Sequence, residues 1–435
     1  MWLCMTRQRS DEIPEKSQKS CIEAQFELMM DTYKKVEERG ASRRGAPLRL
    51  HFWRQGGREM EAWITEAFER IKEKLSAECG RWGSRIPYQT ENGRYVTDYA
   101  EKDIYWWTNG FWPGILWQMY YATGEEKYRM AAAETEEKLD QALYGFTGLH
   151  HDVGFMWLHS AVADWRLTGS AKSRDRGLMA ASVLAGRFNP GGGFIRAWNP
   201  ECVEPGEDCT GWIIVDSMMN LPLLYWASEQ WKDPRFYNAA VRHADTVRRT
   251  LVRRDGSCGH IAALDPCTGE LERLLPGQGY SADSAWSRGQ SWIIYGFVLS
   301  YRYTKDERYL ETAKQAAHYF IANVALNGNI PLCDFRQPER PALIDTSAGL
   351  CAACGLMELA DWLPEGEQAL YRRHGEAMVR AVFESHCDWD IGRDSIVRDG
   401  KVEYHGDKNS TDLIYADYFF VEAVFRLMGK AFFIW

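Results

Sequence analysis

Two aspartates stand where a carboxyl group can do acid–base chemistry. Asp152 lies in GLHHDVGF beside His150 and His151, and Asp216 lies in VDSMMN, between the apolar runs GWIIV and LPLLYW. Two carboxyl groups beside a sugar suit glycosidic chemistry, because one can hold a proton as general acid while its partner stays charged. An aspartate directly before a helix-like segment can equally be an N-cap, accepting from the free N–H groups of the first turn. The motif alone leaves these two readings even, and Asp345 and Asp412, at similar starts, read as caps. The flanking histidines single out Asp152, and an otherwise apolar setting singles out Asp216.

Other polar and aromatic residues cluster at comparable starts. WSRGQSW places Arg288 in a first helical turn between Trp286 and Trp292. A cation at the positive end of a helix calls for an anion opposite it. A substrate carboxylate would serve, and so would a salt bridge to Asp283 or another acid. His260 in HIAALDPCTGE and Gln278 in PGQGY fall in the long segment just before that helix, where a histidine can bind a ligand or merely hold a turn. YWWTNGFWPG supplies Trp106, Trp107, Asn109 and Trp112, and FIRAWNP supplies Trp198. These rings are either barrel core or platforms for a sugar.

The elements that must position these residues come in pairs. YWWTNGFWPGILWQMYYATG is apolar almost throughout, whereas EEKYRMAAAETEEKLDQAL has one polar and one apolar face. A helix apolar all round is buried, and an amphipathic one covers it. The pair recurs along the chain, and EEKYRMAA, DPRFYNAA and DERYLETA repeat an acidic start, an aromatic and small residues in one order. With the helix that begins after Met60 counted as the first outer one, six outer and six inner helices result. No period-two run of useful length competes. The expected fold is all-α, an (α/α)6 barrel of six helical hairpins forming one catalytic domain over residues 58–435, preceded by an irregular N-terminal extension over 1–57. The long connections, at 189–215, 254–285, 325–344 and 386–411, all lead into inner helices. That end of the ring should hold the active site, and inward-pointing helix dipoles favour an anionic ligand there.

Composition narrows the function classes. A net charge of -9 argues against a nucleic-acid partner. A hydrophobic share of 45% without a run of about 18 apolar residues argues against a membrane span. The 19 Trp and 21 Tyr suit a saccharide partner. The 11 Cys lack the tight spacing of a zinc site and read as buried thiols of a reducing cytoplasm, in line with an N-terminus that has no signal pattern. No metal and no cofactor is expected, and oligomeric state is not legible.

WTNGFWPG, HHDVGFM, the Asp-Ser-Met-Met-Asn segment, HxxxxDPxTG, GQGY, DSAWSRGQSW and YADYFFVEA together resemble, in order and spacing over about residues 60–430, the unsaturated glucuronyl hydrolases of glycoside hydrolase family 88. The resemblance implies an (α/α)6 barrel that hydrates the C4=C5 double bond of the unsaturated uronic acid at the non-reducing end of lyase-generated oligosaccharides. It implies that Asp216 protonates C4 and activates the water that adds at C5, and that Asp152 is the second catalytic carboxylate. It also implies substrate-binding positions at Trp107, Asn109, His151, Trp198, His260, Gln278, Arg288, Trp292 and Lys408. Lys408 and Ser410 lie in a loop where members preferring sulfated glycosaminoglycans carry serines and a lysine; here the loop is shorter and differently spaced. The related unsaturated rhamnogalacturonyl hydrolases of family 105 are the enzyme alternative, and a non-catalytic saccharide-binding barrel is the alternative from another class.

Overall fold

The structure is a computed structural model that describes residues 61–435; the extension read over 1–57 lies outside them. The described residues fold into helical hairpins. The inner helices are α2 (Phe111–Thr123), α4 (Val153–Trp157, Leu158–Val162 and Ala163–Thr168 in succession), α6 (Leu221–Trp231), α8 (Ser287–Thr304), α10 (Thr346–Asp361) and α12 (Ile414–Leu427). The outer ones are α1 (Ala62–Trp82), α3 (Glu126–Gly145), α5 (Ala171–Gly186), α7 (Pro234–Thr250), α9 (Glu307–Val324) and α11 (Glu365–Ser385). Each inner helix packs on the next, and α12 returns to α2 to close the ring, while α1 covers α12. The fold is the expected (α/α)6 barrel.

The repeated sequence pattern has a local cause. In two of the three repeats the acidic residue that opens an outer helix is its N-cap: Asp233 accepts from Arg235 N–H and Asp306 from Arg308 N–H, each satisfying an orphan donor, whereas Glu125 makes no side-chain capping bond. The tight inner-to-outer turns reverse through a left-handed residue, Gly124, Gly169, Lys232 or Lys305. α7 buries Phe236, Ala239, Ala240, His243, Ala244 and Val247 on one stripe, whereas α8 is buried at every residue from Ser287 to Tyr301. At the C-terminal ends of the inner helices Glu358 accepts from Arg302 (2.9 Å) and Arg426 (3.1 Å), placing cations where the helix dipoles are negative.

Neighbouring inner helices touch through glycine. A Cβ on Gly110 would lie 2.1 Å from the carbonyl oxygen of Phe155, and one on Gly154 would lie 2.5 Å from Cα of Asn220. Within α4, residues Leu158–Val162 form a π turn, and His159 Nδ1 sits 2.8 Å from the Phe155 carbonyl there.

Short strands are present where none was expected. Trp212–Ile214, Ile261–Leu264 and Leu271–Leu275 form an antiparallel sheet with Ile213 opposite Ala262. Three- to five-residue strands, two of them buried on both faces, carry no visible alternation. The cysteines are also not uniformly buried: Cys202 and Cys267 are exposed, and all those described are free thiols.

Gly110→Ala should destabilise the barrel by about 1–3 kcal/mol or more, because backbone on both sides prevents relaxation. A lowered urea midpoint at unchanged m-value would show it; a midpoint equal to that of the parent chain would refute the close-contact argument.

Candidate active site

The small sheet aims the chain at the mouth of the ring. Ile214 pairs with Ile261, and Val215 N–H donates to His260 O (3.0 Å), so Asp216 and His260 leave adjacent strands side by side. The backbone then turns through a 3-10 segment, Val215–Met219, before α6 begins at Leu221 with Pro222 in its first turn. Asp216 therefore is not an N-cap: its side chain caps nothing, and Oδ1 has no hydrogen-bond partner. That oxygen lies 3.6 Å from His260 Nε2. Gln278 N–H donates to His260 Nδ1 (2.9 Å), which makes Nδ1 the acceptor and leaves Nε2 to carry the ring proton towards Asp216. The His260 ring also lies on Trp286, with centroids 4.3 Å apart.

Asp152 precedes α4 and likewise makes no capping bond. Its Oδ2 is 3.2 Å from His151 Nε2 and 3.3 Å from His150 Nδ1. Asn220 ties the Asp152 carboxylate to the Asp216 backbone, its Nδ2 donating to Asp152 Oδ1 (3.3 Å) and to the Asp216 main-chain carbonyl (3.2 Å) while its Oδ1 accepts from Phe155 N–H (2.8 Å). Burial, and after it the charge of Asp216, raises the Asp152 pKa well above the ordinary carboxylate range, against the Asn220 hydrogen bond and the Arg187 charge. The neighbouring imidazoles are pushed the other way: burial, with help from Arg187, lowers His150 to about 4 and takes His151 well below its ordinary value. A carboxyl group whose pKa is raised, packed against imidazoles whose values are lowered and close to a second carboxyl group, is the unequal pairing that general acid–base chemistry uses.

The remaining sequence candidates divide into three groups. Trp198, half-buried, meets the His151 ring edge-on at 5.8 Å, and Trp107 lies 5.1 Å from the Tyr415 ring, so both border the carboxylates or the aromatic wall. Gln278 and Arg288 build the wall itself. Gln278 Nε2 donates to Val402 O (2.9 Å), and Arg288 donates to Lys401 O (2.7 Å), Val402 O (2.6 Å) and the Asp345 carboxylate. Of the partners left open for Arg288, the structure supplies a buried aspartate, and the guanidinium stands between Trp286 and Tyr415. The third group comprises two buried residues and one exposed loop residue. Asn109 and Trp292 have no exposed surface. Asn109 donates to the carbonyls of Asp103 and Ile104, and Trp292 packs between Phe155 and Phe419, so both lie beneath the site. Lys408 is exposed and contributes its carbonyl oxygen to Lys401 Nζ. Of the two expected caps, Asp345 caps α10 through Ser347 N–H, whereas Asp412 accepts from Thr90 Oγ1 (2.7 Å) instead.

Asn220, Ser217, Arg187 and Lys401 were not singled out from sequence. Asn220 follows Asp216 by four residues, a helical spacing that was the available signal. Arg187 holds the His150–His151 turn by donating to Leu149 O, Ala197 O and the Asn199 side chain, contacts that no local pattern reveals.

A helical barrel with a paired, unequal set of carboxyl groups and aromatic walls at one mouth defines a glycoside hydrolase. The sequence profile of Glycosyl Hydrolase Family 88 matches residues 81–328, and the chain belongs to that family. It is 37% identical over 353 residues to an unsaturated glucuronyl hydrolase of Bacillus sp. strain GL1, covering 80% of this chain and 92% of that protein. It is 32% identical to an unsaturated chondroitin disaccharide hydrolase of Streptococcus pyogenes serotype M1, over 75% of this chain and 82% of the relative. The crystal structure of the Bacillus sp. GL1 unsaturated glucuronyl hydrolase, responsible for the degradation of glycosaminoglycan, superposes with a TM-score of 0.78 at 35% identity, over 84% of this chain and 96% of that one. No described helix is long and apolar enough to cross a membrane.

The raised Asp152 carboxyl makes a signed stability prediction. The native chain holds this proton more tightly than the unfolded chain does, so the contribution is complete below about pH 4 and is lost as pH rises through the folded value. Asp152→Asn should therefore melt higher than the parent at neutral pH, with the gain shrinking towards pH 4. A difference in Tm that does not change with pH would contradict the protonated assignment.

Proposed function

We propose that this chain hydrates the C4=C5 double bond of an unsaturated uronic acid at the non-reducing end of a lyase-generated, glycosaminoglycan-type oligosaccharide. One observation carries the roles assigned: Asp216 opens an inner-helix segment without capping it and keeps Oδ1 free, 3.6 Å from a histidine N–H. A carboxyl oxygen so placed costs stability unless it is used. The substrate enters with its C4=C5 bond beside the free Asp216 oxygen and expels water from the mouth. Asp216 then gives its proton to C4, positive charge develops at C5 and on the ring oxygen, and the Asp216 carboxylate takes a proton from the water that adds at C5. The hemiketal opens and releases the remaining saccharide together with an open-chain keto sugar. Asp152 steadies the pair through Asn220, and His151 orients Asp152. His260 positions Asp216, Gln278 and Arg288 hold the wall formed by residues 401–402, and Trp107 and Trp198 flank the sugar. The unsaturated glucuronyl and chondroitin disaccharide hydrolases among the relatives support this substrate class. The same reading places the barrel in the cytoplasm, where exposed thiols such as Cys202 stay reduced.

Unsaturated chondroitin, hyaluronan and heparin disaccharides, assayed beside unsaturated rhamnogalacturonan disaccharide, should lose the absorbance of the conjugated double bond in at least one glycosaminoglycan arm. Loss in the pectin arm alone would overturn the choice of substrate. Asp216→Asn should cut turnover by about 10²–10⁴-fold while saccharide binding stays within about an order of magnitude. An active variant would remove Asp216 from the chemistry.

A further inference from the structure

We infer that His150, His151 and Asp152 form a binding site for a divalent transition cation of the zinc type, and that the cation switches the enzyme off by taking the Asp152 carboxyl. The argument is geometric. One ligating atom from each residue lies within 4.8 Å of the other two. The His151 Nε2 to Asp152 Oδ2 separation is 3.2 Å and that from His150 Nδ1 is 3.3 Å. Bonds of about 2.0–2.1 Å in a tetrahedral site place neighbouring ligand atoms about 3.3 Å apart, so two edges of the tetrahedron are already set. The third, between the two imidazoles, closes by ring rotation.

The surrounding groups match what such ligands need. Ser217 Oγ lies 3.1 Å from His151 Nδ1 and can accept its proton, leaving Nε2 as the donor atom. Asn220 holds the other oxygen of Asp152, so that Oδ2 alone faces the histidines. Partners of this kind fix ligand orientation and tautomer. His150 Nδ1 is buried without a hydrogen-bond partner. The nearby Arg187 charge opposes a cation and the Asp216 charge favours one. Two histidines and one carboxylate leave the fourth position for water, as in zinc sites that are not closed by protein. Hydration by the Asp152–Asp216 pair is the proposed reading on which the inhibitory effect rests; the binding itself does not.

The full chain, with exposed Cys202 and Cys267 alkylated beforehand, should take up one equivalent of Co2+ with the intense visible bands of a four-coordinate ion, and Zn2+ should displace it. His150→Ala and, separately, His150→Gln should weaken Co2+ binding about tenfold or more and raise by a similar factor the Zn2+ concentration that halves each variant's own metal-free turnover. Absence of the bands, or binding unchanged in both His150 variants, overturns the site. Cobalt binding that depends on His150 but leaves turnover untouched supports the site and instead removes Asp152 from the catalytic pair.

Discussion

An inner helix enclosed on every side has nowhere to put a charge except at its two ends, and the rest of this barrel follows from that constraint. At the C-terminal ends the charges cancel among themselves, with Glu358 shared by Arg302 and Arg426. At the N-terminal ends they do not all cancel. Arg288 and Asp345 pair completely, whereas Asp152 and Asp216 are two like groups with Asn220 between them. Polar chemistry thus collects at one mouth because the apolar walls expel it from everywhere else. The glycine contacts at Gly110 and Gly154 keep the ring tight enough to make that expulsion strict.

The two carboxyl groups differ because their surroundings differ. Asp152 is enclosed by neutral imidazoles and shaped by a helix start, while Asp216 emerges from a strand with one oxygen unsatisfied. Asn220 reaches the Asp152 carboxyl and the Asp216 backbone, and also fixes the first peptides of α4 through Phe155 N–H. Its displacement would disturb the two acids together. The wall opposite is held by bonds to backbone carbonyls of residues 401–402, so its position depends on Arg288 and Gln278 and little on which side chains that loop carries.

The hairpin repeat was legible because helix capping is local. Asp233 and Asp306 each precede the same aromatic and small-residue pattern, and each does the same job in space. The site was legible only in part. Asp152, Asp216, His151 and His260 converge as their motifs suggested, but the capping alternative for Asp216 fails on a three-residue strand too short to leave a period. Arg288 finds its acid 57 positions away in sequence, a choice that spacing could not make. Trp292 and Asn109 share motifs with the other candidates, yet the chain turns both inward, where neither keeps exposed surface. Lys401, not Lys408, is the lysine with a fixed place, its Nζ held by the carbonyls of Gly406 and Lys408.

The π turn in α4 has a meaning for how such a barrel can change over time. One additional residue in a helix advances the following side chains by about 100° around the axis. In α4 that advance is absorbed within Leu158–Val162, between the turn bearing Asp152 and the half that packs towards Gly177 and Trp226. The two halves of one rod therefore keep separate rotational phases. Selection on catalysis at one end and on packing at the other can proceed along the same helix without either dictating the other's angle.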